Sequence, residues 1–201
     1  TSGTPNSVDA PYLKEKQAAL LAKFPGLESG RTKIGILIGG NTKKSILSQE
    51  AVGILLDAVK EKSEAWDGEI LVTTSRRTPA ELENLVKTKF SAFPRCQLQI
   101  IANEKNIPEA VGGILALSKV LIVSEDSISM ISEAAASGNT VIVLRFKKQE
   151  LSPADRHDRF LKELSDKRHI ILVDAAEISR RIDDVLKGKI STIPLNDRSI
   201  I

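Results

Sequence analysis

The chain has 201 residues, 41% hydrophobic and 27% charged, which supplies enough apolar side chain for a globular domain with a real core. Its 29 basic and 26 acidic residues are interspersed, leaving a net charge of +3, and aromatics are only 3%, so the basic stripe and stacking rings of a nucleic-acid binder are missing. A single cysteine, Cys96, rules out a disulfide framework or zinc spacing within the chain; it opens an apolar run and reads as a small buried hydrophobe in a reducing compartment.

Residues 1–11 are small and polar with two prolines and read as a linker. Thr1 opens the chain in place of methionine, as expected of a processed product or a piece of a longer protein. Asp9 or Ala10 starts a helix in which Tyr12, Leu13, Leu20, Leu21 and Phe24 recur at helical spacing, and Pro25-Gly26 stops it. The apolar face of 10–24 is expected to pack on the domain or on a neighbouring copy.

From Lys33 the pattern alternates. Strands are predicted at 33–38, 69–74, 97–102, 119–123, 140–145 and 169–173, with helices at 48–62, 79–90, 107–117, 128–137, 153–167 and 175–187. No internal repeat is visible. Thr78-Pro79-Ala80-Glu81 reads as a capping box with proline at the first helical position. Six strands each followed by a helix, joined by right-handed crossovers, predict a doubly wound parallel α/β sheet of Rossmann-like type. The fourth strand, KVLIV, is aliphatic without alternation, which places it centrally. With strand order 3-2-1-4-5-6, the first and fourth strands are neighbours whose helices leave in opposite directions, and ligands of such sheets bind at that crevice. No apolar run reaches the roughly 18 residues of a membrane span. The opening residues also lack the layout of a signal peptide, so a cytoplasmic location is expected.

Three polar turns converge on the predicted carboxyl edge. Gly39-Gly40-Asn41-Thr42-Lys43 is read either as a turn needing positive φ or as backbone that a ligand approaches closely. Thr73-Thr74-Ser75-Arg76-Arg77 offers two guanidiniums that are either solvated charge or bidentate partners of a diphosphate. Ser124-Glu125-Asp126-Ser127 has Ser127 as a helix N-cap; its two carboxylates answer the helix dipole, or serve a ligand while the turn faces solvent. Glu133, further along that helix, is either an exposed helix residue or an acceptor for a ribose diol. His157 and His169 read as surface residues. A dinucleotide oxidoreductase fits worst, because the first turn lacks G-x-G-x-x-G and the second strand ends in Ser-Arg-Arg where the ribose-binding acid would stand.

Ile38-Gly39-Gly40-Asn41-Thr42-Lys43, Thr73-Thr74-Ser75-Arg76-Arg77-Thr78-Pro79 and Glu125-Asp126-Ser127-Ile128-Ser129-Met130-Ile131-Ser132-Glu133-Ala134 resemble the signatures of the mitochondrial fission Elm family. Over roughly residues 33–200, which include His157-Asp158-Arg159 and Asn196-Asp197-Arg198, the chain is similar to that family's plant fission factor and its bacterial relatives, some labelled nucleoside-diphosphate-sugar epimerases. More distantly it resembles the carboxy-terminal half of GT-B glycosyltransferases, which binds the donor. The resemblance implies a domain at 32–201 and, at 1–31, a linker and helix from a missing first domain. It implies a nucleoside diphosphate or nucleotide-sugar, UDP-sugar-like, as ligand, with no cofactor and no metal. Glu133 would hold the ribose, the Gly39 and Ser127 amides the phosphates, and Arg76 and Arg77 would assist. Gly40, Asn41, Thr42, Ser75, Ser124, Glu125, Asp126, Ser129 and Met130 complete the implied binding set. Asp126 is expected to face sugar hydroxyls. No catalytic residue is implied, and activity would be glycosyltransferase-like or epimerase-like. The competing expectation is a non-catalytic interaction protein in organelle or membrane fission, at the cytosolic face of an organelle membrane.

Overall fold

Strand β1 (Lys33–Ile38, KIGILI) is buried at every position, which an aliphatic run achieves only with both faces covered. The computed structural model describes residues 8–41, 45–148 and 156–195. The remaining main-sheet strands are β3 (Glu69–Thr74), β4 (Cys96–Ile100), β5 (Val120–Ser124), β6 (Thr140–Leu144) and β8 (Ile171–Val173). All pair in parallel in the order β4-β3-β1-β5-β6-β8, the predicted 3-2-1-4-5-6 arrangement. Ile34 to Leu37 of β1 face Val120 to Val123 of β5, so the run read as central from its lack of alternation is central.

The helices are α1 (Ala10–Lys23), α2 (Gln49–Ala65), α3 (Ala80–Phe90), α4 (Ala110–Leu117), α5 (Ile128–Ala136), α6 (Arg156–Asp166) and α7 (Ile178–Leu186). Alternation along β1 sorts them into two layers. Ile34, Ile36 and Ile38 pack with Leu56 of α2, Val86 of α3 and Ile182 of α7. Leu37 points the other way, into a core that holds Leu20 of α1, Ile114 of α4, Ile131 of α5 and Leu161 of α6. The chain changes sides between β1 and β5, which creates the crevice at their carboxyl ends.

Element ends differ from the pattern where local chemistry intervenes. Helix α4 begins at Ala110, after Pro108 and the buried Ile107. Strand β4 stops at Ile100 because the next carbonyl, of Ile101, takes the amides of Glu104 and Lys105 in a turn. A 3-10 turn at Ala175–Glu177 precedes α7. The capping box does not form: Pro79 is the N-cap, and the Thr78 hydroxyl turns away from the helix to the carbonyls of Gly39 (2.7 Å) and Ile38 (3.0 Å). A two-stranded antiparallel ladder, β2 (Ser45–Ile46) with β7 (Lys147–Lys148), was not expected, since two residues carry no periodicity. Residues 1–7 of the linker, 153–155 of the sixth predicted helix, and Asn196-Asp197-Arg198 lie outside the described residues. Among the described residues no helix is long and apolar enough to cross a membrane.

Helix α1 starts where Asp9 caps it, its carboxylate accepting from Tyr12 N at 2.8 Å. It lies on α4, where Gly112-Gly113 leave room: a Cβ on Gly113 would overlap Leu20, and one on Gly112 would press on Lys16 at 2.6 Å. Leu20 has no exposed surface and belongs to the same core as β5. Of the two expectations for the apolar face of 10–24, the described packing is the intramolecular one. Leu20→Ala should therefore lower stability by about 3 kcal/mol. Urea unfolding checks this; a change below about 1 kcal/mol would mean that α1 is loosely held.

Candidate functional site

The carboxyl ends of β1, β3 and β5 are joined by one buried carboxylate. Asp126 lies just beyond β5, its side chain without solvent exposure. Its Oδ1 accepts from the Ser124 hydroxyl (2.6 Å), and its Oδ2 from the Gly40 amide (3.0 Å) and the Arg77 guanidinium (3.0 Å). Ser124 Oγ in turn accepts from the Gly39 amide at 2.7 Å. Thr78 completes the knot by donating to the Gly39 carbonyl and accepting from Ser75 N at 2.9 Å. A carboxylate so placed meets its acceptor capacity with backbone and side-chain donors, which stabilises the buried charge.

Two expectations are corrected here. Asp126 does not face solvent, and its oxygens are engaged within the fold; the Gly39 amide, expected on a phosphate, donates to Ser124. The glycines also have a different reason from either one read in the sequence. Neither has positive φ, a conformation that among the described glycines belongs to Gly30, Gly138 and Gly188. A Cβ on Gly39 would overlap the Asp126 carboxylate, and one on Gly40 the Arg77 carbonyl. Close approach of the protein's own groups requires glycine at both positions.

Glu125 points into the protein, 4% exposed, and accepts from Phe146 N at 3.0 Å. Burial pushes its carboxyl above the ordinary range, against the opposing pull of the Phe146 amide, His157 and Arg145. Asn41 is exposed, its Oδ1 accepting from Leu47 N at 3.0 Å, and Thr42 lies outside the described residues. Ser127 caps α5 by accepting from Met130 N at 3.4 Å, and the amino end of that helix follows directly on the carboxyl end of β5.

Beside this knot opens a cleft of about 220 Å3 over the ends of β1 and β3. Ser75, Arg76 and Met130 line it, together with Thr74, Asn106 and Val111. Asn106, in the connection after β4, and Val111, in the first turn of α4, were not anticipated: neither belongs to the three turns read as a site in the sequence. Glu133 sits one turn beyond Met130 on α5 and is partly buried; desolvation raises its carboxyl, and the Ser129 hydroxyl partly offsets this. Tyr12 of α1 is close enough to feel that charge. Its phenol is pushed up by burial first and by Glu133 second. Cys96, pushed up to about 12 by burial, is an inert thiol. Among the described residues no three His, Cys, Asp or Glu side chains gather as a metal site requires.

Fold and site together define a Rossmann-like α/β domain with a cleft of mixed polar and apolar lining at its switch point. The chain belongs to the mitochondrial fission ELM1 family, whose sequence profile matches residues 1–199. Among solved structures it is similar to UDP-GlcNAc 2-epimerase from Neisseria meningitidis, bound to UDP-GlcNAc (TM-score 0.63, 14% identity, covering 90% of this chain and 42% of that one). It is also similar to ADP-heptose LPS heptosyltransferase II from E. coli (TM-score 0.57, 12% identity, 91% and 53% covered). A third is an α,α-trehalose-phosphate synthase (UDP-forming) from Burkholderia vietnamiensis (TM-score 0.56, 11% identity, 92% and 44% covered). At these identities the likeness is one of fold. The chain spans less than half of the epimerase and of the synthase, and about half of the heptosyltransferase. Comparison with curated protein sequences finds no match.

Gly39→Ala should destabilise by about 2 kcal/mol, and by much less when Asp126 is already alanine, because the clash is with that carboxylate. A double-mutant cycle in urea measures the coupling; additive losses would remove the close-approach account. Asp126→Asn should lose about 2 kcal/mol by leaving one buried donor unmatched, and Arg77→Gln well under 1 kcal/mol, since that guanidinium is 59% exposed. Glu125, with its folded pKa raised, contributes stability below the ordinary carboxylate range that is lost as pH rises through the folded value. Glu125→Gln should therefore gain on the native protein from acid toward neutral pH. A gain that instead shrinks with rising pH contradicts the sign.

Proposed function

We propose that this chain is a nucleotide-sugar donor-binding domain, UDP-sugar-like in specificity, of a GT-B glycosyltransferase-like or epimerase-like protein. The observation that carries the reading is the cleft at the switch point, where Ser75, Arg76, Asn106 and Met130 meet beside the amino end of α5. An exposed arginine and a helix amino end favour diphosphate there, and the apolar wall of Leu37, Ile38 and Val111 suits a flat base or sugar face. Glu133 is the candidate for the ribose diol, since a carboxylate has two acceptors for its two donors. Ser129 orients it from one turn earlier. Asp126 is assigned to holding the turns together, and the role on sugar hydroxyls is withdrawn. The neighbours that share the fold are about twice as long as this chain, and residues 1–31 are proposed to connect to a further domain that would hold the acceptor site.

A second reading, a non-catalytic interaction protein in membrane fission, draws on one specific observation. The Gly39 and Gly40 amides are satisfied internally, which removes two donors that a tight diphosphate site would use.

Titration with UDP, followed by amide chemical shifts, separates the two. Binding in the range of about 0.1 to 1 mM is expected for one half of a cleft without closure, with shifts at Ser75 to Arg77, Asn106 and Ile128 to Glu133. Glu133→Gln should weaken uridine nucleotides roughly fivefold and their 2′,3′-dideoxy analogues hardly at all. Absence of shifts at millimolar UDP leaves the interaction reading in place, and equal weakening of both ligands removes Glu133 from the ribose.

A further inference from the structure

A second cavity lies beside the outermost strand, β8, and belongs to different chemistry. It measures about 330 Å3 and is bounded by β8, by the turn joining α6 to β8, by α7 and by the segment after α7. Three cations line it: Arg168 from the turn, Arg181 from α7 and Lys189 from the following segment. Ser165 and Ser191 add hydroxyls, and among the described residues no acidic one is in the lining. Of the acids on the surrounding elements, Glu163 and Asp166 of α6 pair with Lys167 and Lys162, while Asp184 lies 3.6 Å from Lys189 itself and offsets part of that cation's charge, which leaves the two arginines as the main cationic groups.

Two features set this cluster apart from ordinary surface charge. The Nε of Arg181 is buried without a hydrogen-bond partner among the described residues, a condition native proteins rarely leave in place. Arg168 stands in the left-handed region, φ 62, at the end of α6, where its own amide bonds to Ser165 O and that of His169 to Leu164 O. Helices α5 and α7 end on Gly138 and Gly188 in that same conformation, the relaxed choice. At the end of α6 an arginine occupies the glycine position, as Asp67 does after α2, and it lines the cavity.

We propose that this cavity binds the phosphate group of a phosphorylated molecule, with Arg168, Arg181 and Lys189 as its cationic partners and Ser191 as a hydroxyl donor. A phosphate brings the acceptors that the buried Arg181 Nε lacks, and its oxygens outnumber the two of a carboxylate, so that it can accept from two guanidiniums and a hydroxyl together. The volume exceeds that of the phosphate alone and leaves room for the group that carries it.

Inorganic phosphate titrated into the full chain, with chloride at matched ionic strength as reference, tests this by amide shifts. Saturable shifts are expected at Arg168 to Leu172 and Lys189 to Thr192 with phosphate alone. Arg168→Gly should weaken them roughly tenfold while holding or raising the melting temperature, because glycine relaxes the turn. Arg181→Gln should weaken them similarly and decides the matter if Arg168→Gly folds poorly. Co-sedimentation with phosphatidic acid vesicles, and not with phosphatidylcholine, that depends on Arg168 assigns the phosphate to a lipid headgroup. Phosphate shifts without vesicle binding assign it to a small phosphorylated molecule. Phosphate shifts no larger than those of chloride, or unchanged in both variants, overturn the proposal.

Discussion

The buried carboxylate of Asp126 is the constraint on which the carboxyl edge depends. Three strand ends meet there, and each would otherwise leave polar backbone facing another across a narrow gap. One side chain accepts from the β1 turn, from the hydroxyl that closes β5 and from the guanidinium that follows β3. A buried carboxylate is tolerated only with donors of this kind. Gly39 and Gly40 follow from it: the donors must come within hydrogen-bond distance, and a side chain at either position would hold the turns apart. The two-glycine turn and the acidic turn are thus one device.

That device positions the cleft without lining it. By drawing the β1, β3 and β5 turns together, it leaves space on the α4 and α5 side, where Arg76 stays exposed while its neighbour Arg77 is tied down. Adjacent arginines in sequence therefore do different work. One holds the edge, and the other remains available to an anion.

Burial of α1 has a further consequence for the site. Because Gly112 and Gly113 let α1 lie close on α4, Tyr12 comes near Glu133, and both groups lose water. A helix that reads as an appendage in the sequence belongs to the same apolar layer as α5, and so influences the charge of a candidate ligand group.

Periodicity and composition by themselves determined the class of sheet and the central place of the fourth predicted strand, because aliphatic runs without alternation must lie inside a doubly covered parallel sheet and each crossover has one hand. The order 3-2-1-4-5-6 is the common one for such sheets, and the structure has it. They also determined which turns reach the carboxyl edge, since every turn after a strand ends there. What they could not determine was the direction of each polar side chain within those turns. Ser-Glu-Asp-Ser reads alike whether its acids face solvent or protein, and Thr78 reads as a helix cap though its hydroxyl is taken by the β1 turn. The Arg168, Arg181 and Lys189 cluster comes from segments with no shared pattern. Only tertiary packing decides these, because hydrogen-bond partners 40 or 86 residues apart compete on equal terms with local ones once both are removed from water.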